Sequence, residues 1–281
     1  MQAELSIVIP AYNEAGRLPR YLDAIRRHFD ALGSEDYEVI VVDDGSRDGT
    51  PGVVRRLAAG WPQLALIEQA SNRGKGAAVR AGMLAARGEV VLFADADGAT
   101  PIGEERALRE AIRAGADVAV GSRRGGPCGP RADRPWCRDL AGRGFSRVAR
   151  VYLGLQVADT QCGFKMFCRD LIPALFGPCR EEGYLFDLYV LGAAARMGCH
   201  LAEVPVEWKE MPGSKVRLVR DSWRMLTGLG RIRRSLRMVD RPAPGRPSAS
   251  ESASGVEDPV PPSGLLPEVY AASPMLPRAS A

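Results

Sequence analysis

The chain has little of what a metal–thiolate or disulfide-stapled protein needs. Its six cysteines (Cys128, Cys137, Cys162, Cys168, Cys179, Cys199) form no CxxC pair, and there are only two histidines. A zinc site is therefore not expected, and scattered cysteines without a small secreted scaffold suit a reducing cytoplasm. No run of 18 or more apolar residues occurs, and the N-terminus enters "LSIVIP" without a basic leader. Neither a spanning helix nor a signal peptide is expected. No internal repeat is visible. Net charge is only +4 over 281 residues, and no nucleic-acid partner is expected.

That small charge is unevenly spread. Nine Lys or Arg fall between Lys215 and Arg241, against the acids Asp221 and Asp240, with Glu210 just before. A local excess of this kind suits an anionic partner. Leu218, Met225, Leu229, Ile232, Leu236 and Val239 recur at three- and four-residue spacing, with Arg217, Arg220, Arg224, Arg231 and Arg234 largely opposite. A helix over about 216–239 follows. Its apolar stripe either packs on the domain beneath a solvated basic face or lies in a membrane interface, where Trp223 suits headgroup level. From Arg241 to Ala281 the chain is loaded with Pro, Ser and Ala and holds nine of the 21 prolines. Disorder is expected there.

The first 120 residues alternate short apolar runs with helical patterns. Residues 5–10, 37–44, 64–69, 89–97 and 116–122 read as strands, and 16–32, 49–60, 75–87 and 103–114 as amphipathic helices. Continuous apolar strands imply burial on both faces, hence a parallel sheet sandwiched by helices in an α/β fold. Residues 123–139, rich in Gly, Pro and Arg, read as a loop. Helical patterns at about 140–153 and 184–197 and a strand at 200–208 follow.

In such sheets ligands gather beyond the carboxyl ends of the strands. Three acidic clusters lie there: Asn13-Glu14, Asp43-Asp44 and Asp95-Asp97. Asp43 ends an apolar run and reads as a ligand-binding carboxylate, whereas Asp48 suits a helix cap. In "SNRGKGAAVRAG" (71–82), Gly74 and Gly76 would let backbone approach a ligand. Lys75 is either a phosphate ligand or a solvated lysine. In "VVLFADADGAT" (90–100) a capped turn needs one aspartate, not two. Alternation along an extended strand end would aim Asp95 and Asp97 at one cation, with oxygen ligands favouring Mg2+ or Mn2+ alongside a substrate diphosphate.

The order PAYNE, VVDDGSRDGT, NRGKG, DADGAT, GSR, DTQCGFK and GSK resembles the inverting family 2 glycosyltransferases of GT-A fold over residues 4 to 235. Among them it is most similar to dolichyl-phosphate β-glucosyltransferases and next to polyprenyl-phosphate mannose synthases. The resemblance implies a Rossmann-like, mostly parallel sheet with helices on both faces across residues 1–240. It further implies that Pro10, Tyr12, Glu14 and Asp43 hold the nucleotide, with Lys75 and Ala96 beside its diphosphate. Asp95 and Asp97 match the DxD pair that coordinates the metal, and Asp159 and Asp187 match acidic positions near the sugar. Arg123, Arg138 and Ser214 match positions around the acceptor phosphate. Two positions depart from the relatives: mannose synthases commonly carry Gln where Ala99 stands, and an acid often stands where Tyr189 is. The expected activity is transfer of glucose from UDP-glucose to a polyprenyl phosphate, peripherally at the inner, cytoplasmic membrane face. GDP-mannose, another acceptor, or a catalytically silent membrane-binding relative are the alternatives.

Overall fold

The structure is a computed structural model that describes residues 3–123, 147, 149–209, 211 and 228–239. Seven strands form one sheet: β1 (Leu5–Ala11), β2 (Tyr37–Asp43), β3 (Leu64–Glu68), β4 (Val90–Ala94), β5 (Val118–Ser122), β6 (Phe164–Cys168) and β7 (Leu201–Pro205). Their order across the sheet is β3-β2-β1-β4-β6-β5-β7. All neighbours pair in parallel except β6, which runs antiparallel to both β4 and β5. The GT-A-like architecture expected above is the one found.

Side chains alternate across the sheet, so each strand feeds two cores. Ile7, Ile9, Val39, Val41 and Leu92 face a layer built by α1 (Leu18–Leu32), α2 (Thr50–Ala58) and α4 (Glu105–Arg113). Val8, Ile40, Val42, Val91, Phe93 and Phe167 face the opposite layer, built by α3 (Lys75–Ala85), α5 (Ile172–Phe176) and α6 (Phe186–Arg196). In α1, Leu18, Tyr21, Leu22, Ile25 and Phe29 are buried at helical spacing, and proline opens the helix where no amide partner is needed. Burial on both faces explains why the strands read as unbroken apolar runs rather than alternating ones.

Three expectations change. Strand β4 stops at Ala94, so Asp95 and Asp97 lie in the turn that follows rather than on an extended strand end. Strand β6 and helix α5 fill a stretch in which the sequence patterns indicate no element. Third, the helix at 228–236 buries Leu229, Ile232 and Leu236 against the α6 layer, leaving Arg231, Arg233, Arg234 and Arg237 exposed. Along this stretch the apolar stripe is spent on the domain and the arginines face outward, with Met238 exposed just beyond it. The rest of the 216–239 pattern, with Arg217, Arg220, Trp223 and Arg224, lies outside the described residues, as do the 123–139 loop beyond Arg123 and the 241–281 tail.

Candidate active site

The carboxyl ends of β1, β2 and β4 bring the three acidic clusters to one edge of the sheet, as parallel neighbours must. Ala11 pairs with Asp43 in the ladder, and Asp43 with Glu68. Pro10 sits beyond Val8, the last β1 residue that pairs with β4. A residue lacking an N–H is accommodated where the ladder thins.

Past β1, the chain is folded back by side-chain bonds. Asn13 takes a left-handed conformation, φ 53°. Its N–H donates to Ser46 Oγ at 2.8 Å, and its Oδ1 accepts from the Arg47 amide at 2.8 Å. Tyr12 is half-buried beside it. Glu14, expected to meet a sugar or base, is buried and accepts two bonds of 2.7 Å from the Arg17 guanidinium. Asp48 Oδ1 accepts the Thr50 amide at 2.9 Å, closing a turn just ahead of α2, whose N-cap is Gly49 rather than the Asp48 expected.

At the end of β2 the adjacent aspartates divide the work. Asp44 accepts from Asn72 Nδ2 at 3.0 Å and from the amides of Arg73 and Gly74, both at 2.8 Å, so it fixes the 71–74 loop. Burial pushes its carboxyl above the ordinary range, although those amides and Arg73 pull the other way. Asp43 is 2% exposed; its Oδ2 accepts the Ser46 amide at 2.9 Å, while Oδ1 is buried with no hydrogen-bond partner among the described residues. A buried carboxylate oxygen without a partner calls for an explanation, and Asp43 lines a cavity in which a ligand could supply one. The cavity is about 370 Å3 and is lined by Asp43, Gly45, Arg47, Gln69 and Asn72 among others.

Gly74 and Gly76 serve another purpose than the one expected. A methyl on either would overlap the backbone of Glu181 to Gly183, and the amides of Gly76 (2.7 Å) and Ala77 (3.2 Å) donate to the Glu182 carbonyl. The Gly76 and Ala77 amides at the start of α3 are thus taken up by protein rather than offered to a phosphate. Lys75 instead points inward. Its ammonium lies 2.6 Å from Asp95 Oδ1 and 5.1 Å from the Phe93 ring centroid. Burial would lower its pKa, but Asp95 and Asp187 outweigh this and hold it above the ordinary value. The solvated alternative for Lys75 is excluded.

Asp95 and Asp97 are brought together by the turn. Gly98 takes φ 65° with its backbone against the Tyr21 ring, where a side chain would strike it, and Ala96 is buried between the two acids. Asp97 Oδ1 accepts the Ala99 amide at 3.1 Å. Its carboxyl is pushed up by burial and then by the charge of Asp95, against the pull of that amide, Arg17 and Lys75. A buried carboxylate whose ionisation is opposed by a neighbouring carboxylate is what a divalent cation relieves. Among the described residues no group of three His, Cys, Asp or Glu gathers as a metal cage. Asp95 and Asp97 are the carboxylates this turn offers to a cation.

The other acids assigned to the sugar each have a basic partner. Asp159 accepts from Arg123 Nε and Nη2, both at 2.7 Å, and from the Arg123 amide at 3.0 Å. Burial alone would raise its pKa, yet Arg123 holds the carboxyl below the ordinary range. The Arg123 guanidinium, expected at an acceptor phosphate, is committed to Asp159 and stands 5.8 Å from the centroid of Trp208. Asp187, 5% exposed, accepts from Lys165 Nζ at 2.6 Å; Lys165, 1% exposed, also donates to the Cys162 carbonyl. Lys165 lies 5.7 Å from the Phe93 centroid, so one ring stands beside both lysines. Burial drives the Asp187 carboxyl up, opposed by Lys165 and Lys75. Arg138 and Ser214 lie outside the described residues.

Sequence reading missed Lys165, Arg17 and Gln69. The first ends the motif DTQCGFK without being given a role there, and it is flanked by aromatics in "GFKMFC", a run that is otherwise strand-like. Because Arg123 holds Asp159 by a bidentate fork, Arg123→Ala leaves a buried anion stripped of its counter-charge. The expected loss is about 2–4 kcal/mol in urea unfolding at neutral pH. The loss shrinks as pH falls through the ordinary carboxylate range, because the stability a depressed carboxyl contributes is present only above its unfolded value. An unfolding curve identical to the parent's would show that the fork contributes nothing.

Comparison with known proteins gives the family and the fold. Over 248 residues the chain is 37% identical to a dolichyl-phosphate beta-glucosyltransferase of Saccharomyces cerevisiae, covering 82% of this chain and 74% of that one. Its counterpart in Drosophila melanogaster is 39% identical, covering 76% of this chain and 69% of the relative. A Trichomonas vaginalis relative of the same description is 38% identical, and there the chain spans 66% of the relative's length. Among solved structures, glucosyl-3-phosphoglycerate synthase of Mycobacterium tuberculosis with Mn2+, UDP-glucose and phosphoglyceric acid superposes with a TM-score of 0.59. The identity is 22%, over 82% of this chain and 79% of that one, a likeness of fold. The profile of glycosyl transferase family 2 matches residues 6–176, which span β1 through α5 and the whole acidic strand edge, and the chain belongs to that family.

Proposed function

We propose that the chain transfers glucose, with inversion, from UDP-glucose to a polyprenyl phosphate of the dolichyl type at a membrane surface. The observation that carries the acceptor class is the pairing of the sugar-side acids. Asp159 is forked by Arg123, which holds its carboxyl below the ordinary range and leaves it poorly suited to accept a proton, and Asp187 is engaged by Lys165. An alcohol acceptor needs such a base, whereas a phosphate arrives already ionised. The relatives named above as dolichyl-phosphate beta-glucosyltransferases support the same class of acceptor and the glucosyl group.

In this reading Asp95 and Asp97 hold a Mg2+ or Mn2+ ion, and that ion supplies neutralisation of the charge that develops on the departing diphosphate. Lys75 adds a fixed positive charge beside Asp95 and keeps that carboxylate in place. Asp43 takes an N–H of the base in the 370 Å3 cavity, and Pro10, Tyr12 and Glu14 are assigned to the nucleotide by their motif positions. Arg123 and Lys165 hold Asp159 and Asp187 as acceptors for sugar hydroxyls. Arg138 and Ser214 are assigned to the acceptor phosphate by their motif positions. Attachment to the membrane is electrostatic on the described part of the C-terminal helix, through Arg233, Arg234 and Arg237, because the apolar stripe is buried. Among the described residues no helix is long and apolar enough to cross a membrane.

A guanine donor is the second reading, since the bare oxygens of Asp43 and Gln69 could also meet the adjacent N–H groups of that base. One experiment separates them. The purified protein, with Mn2+, is given UDP-glucose or GDP-mannose and a polyprenyl phosphate in anionic vesicles, and the lipid product is identified. Glucosyl phospholipid from UDP-glucose is expected; mannosyl product from GDP-mannose overturns the donor, and transfer to a free glycan hydroxyl overturns the acceptor.

A further inference from the structure

Gln69 lies one residue past β3, and its amide donates to the carbonyl of Asp43 at 2.9 Å. Asp43 is in register with Glu68, so Gln69 is the next residue along at the end of the adjacent strand. Both residues line the same cavity, and among the described residues each has one buried oxygen with no hydrogen-bond partner: Asp43 Oδ1 and Gln69 Oε1. Orphaned acceptors are rare in folded proteins, and a neighbouring pair in a cavity calls for a ligand edge that satisfies both.

The two groups are not equivalent. An ionised carboxylate only accepts, so Asp43 demands an N–H from whatever binds. A side-chain amide carries an acceptor and two donors, and turning it by half a revolution exchanges them without moving charge. Uracil offers one imino N–H flanked on each side by a carbonyl oxygen. Once Asp43 takes that N–H, the group beside Asp43 has to donate. We propose that Gln69 is a base-reading residue, donating from Nε2 to a carbonyl oxygen that flanks the imino N–H held by Asp43. This inference rests on the UDP-donor reading above and deepens it: Asp43 demands a donor, and Gln69 selects what lies next to it. The side walls match a flat ring, because Gly45, Ser46, Ala70 and Ser71 line the cavity with little bulk.

The test is calorimetric binding of nucleotides to the full chain with Mn2+, without turnover. The probes are UDP, its 4-thio and 2-thio analogues, in which a poor acceptor replaces one carbonyl oxygen, and N3-methyl-UDP. The parent should bind one of the two thio analogues about five- to tenfold more weakly than UDP, the worth of one hydrogen bond. Gln69→Leu should bind UDP more weakly by a similar factor and no longer distinguish that analogue from UDP. N3-methyl-UDP should be rejected by both proteins, since Asp43 is intact in each. Side effects of sulfur on ring or sugar shape act on parent and variant alike and cancel in the comparison. Parent affinity equal for UDP and both thio analogues overturns the role of Gln69 without needing any variant to fold. Unchanged discrimination in a folded Gln69→Leu protein does the same while leaving the donor reading intact. A parent that binds GDP but not UDP overturns the donor reading itself.

Discussion

Asp97→Ala loses transfer by roughly a thousandfold or more while unfolding no earlier than the parent at neutral pH. Removing one preorganised electrostatic group from a reacting diphosphate costs on the order of 10²–10³ in rate, and a shared cation site is lost along with it. Stability moves the other way. The Asp97 carboxyl is held above its ordinary value by burial and by Asp95. A carboxyl raised in the fold destabilises it at pH above the raised value, and the penalty fades as pH falls toward the ordinary carboxylate value. Deleting the group removes that penalty, so the variant's advantage is present at neutral pH and disappears in acid. Asp95 cannot substitute, because Lys75 already holds one of its oxygens. Activity assays after EDTA treatment, with Mn2+ or Mg2+ added back, supply the check. The parent recovers, and the variant does not at metal concentrations that saturate the parent. Transfer within tenfold of the parent, or a large drop in unfolding midpoint, would show that Asp97 is a turn residue and no metal ligand.

The elements that carry this site were legible in the sequence wherever a signal is local. Strands β1, β2 and β4 announce themselves as apolar runs because both faces of the sheet are buried. The acids that end them stand out because an acid rarely closes a buried strand without a task. The proximity of Asp95 and Asp97 was also legible, though strand alternation is not its cause: the strand stops at Ala94, and a turn around Gly98 brings the carboxylates together. Strand β6 was not legible. It has five residues, and its second, Lys165, breaks the apolar run. That lysine is tolerated only because Asp187, 22 positions away, neutralises it. The same limit hid the pairing of Arg123 with Asp159 across 36 positions and the closure of α3 by the Glu182 carbonyl. Motif positions identify which side chains gather at a site. They do not say which gathered charges will spend themselves on one another, because that depends on distances set by the whole sheet.

Lys165→Met is the most damaging single change to the fold expected here. Lys165 and Asp187 bury each other almost completely. Removing one partner leaves an uncompensated charge, which costs about 3–5 kcal/mol. A fall of roughly 10 °C in unfolding midpoint follows for a domain of this size. The pH dependence identifies the cause. Asp187 is already pushed above the ordinary carboxylate range by burial, with Lys165 as the first opposing charge. Without Lys165 it rises further, so the variant is most impaired at neutral pH and regains stability as pH falls through the raised value, where Asp187 takes up a proton. A lost apolar contact would give no such recovery in acid. The double variant Lys165→Met, Asp187→Leu separates architecture from chemistry. Replacing both members of a buried pair by apolar groups of similar size is close to neutral for stability, so the unfolding midpoint should return to within a few degrees of the parent. Transfer should not return with it. The negative charge of Asp187 acts on Lys75 as well as on Lys165, and Lys75 holds the Asp95 carboxylate 2.6 Å away. Losing that charge loosens the lysine that positions one of the two proposed metal ligands, and removes an acceptor for a sugar hydroxyl. The stable double variant should therefore bind Mn2+ more weakly and turn over at least tenfold more slowly, as expected when one positioned polar contact in a reacting site is lost. A double variant as active as the parent would reduce Asp187 to a counter-ion for a buried lysine.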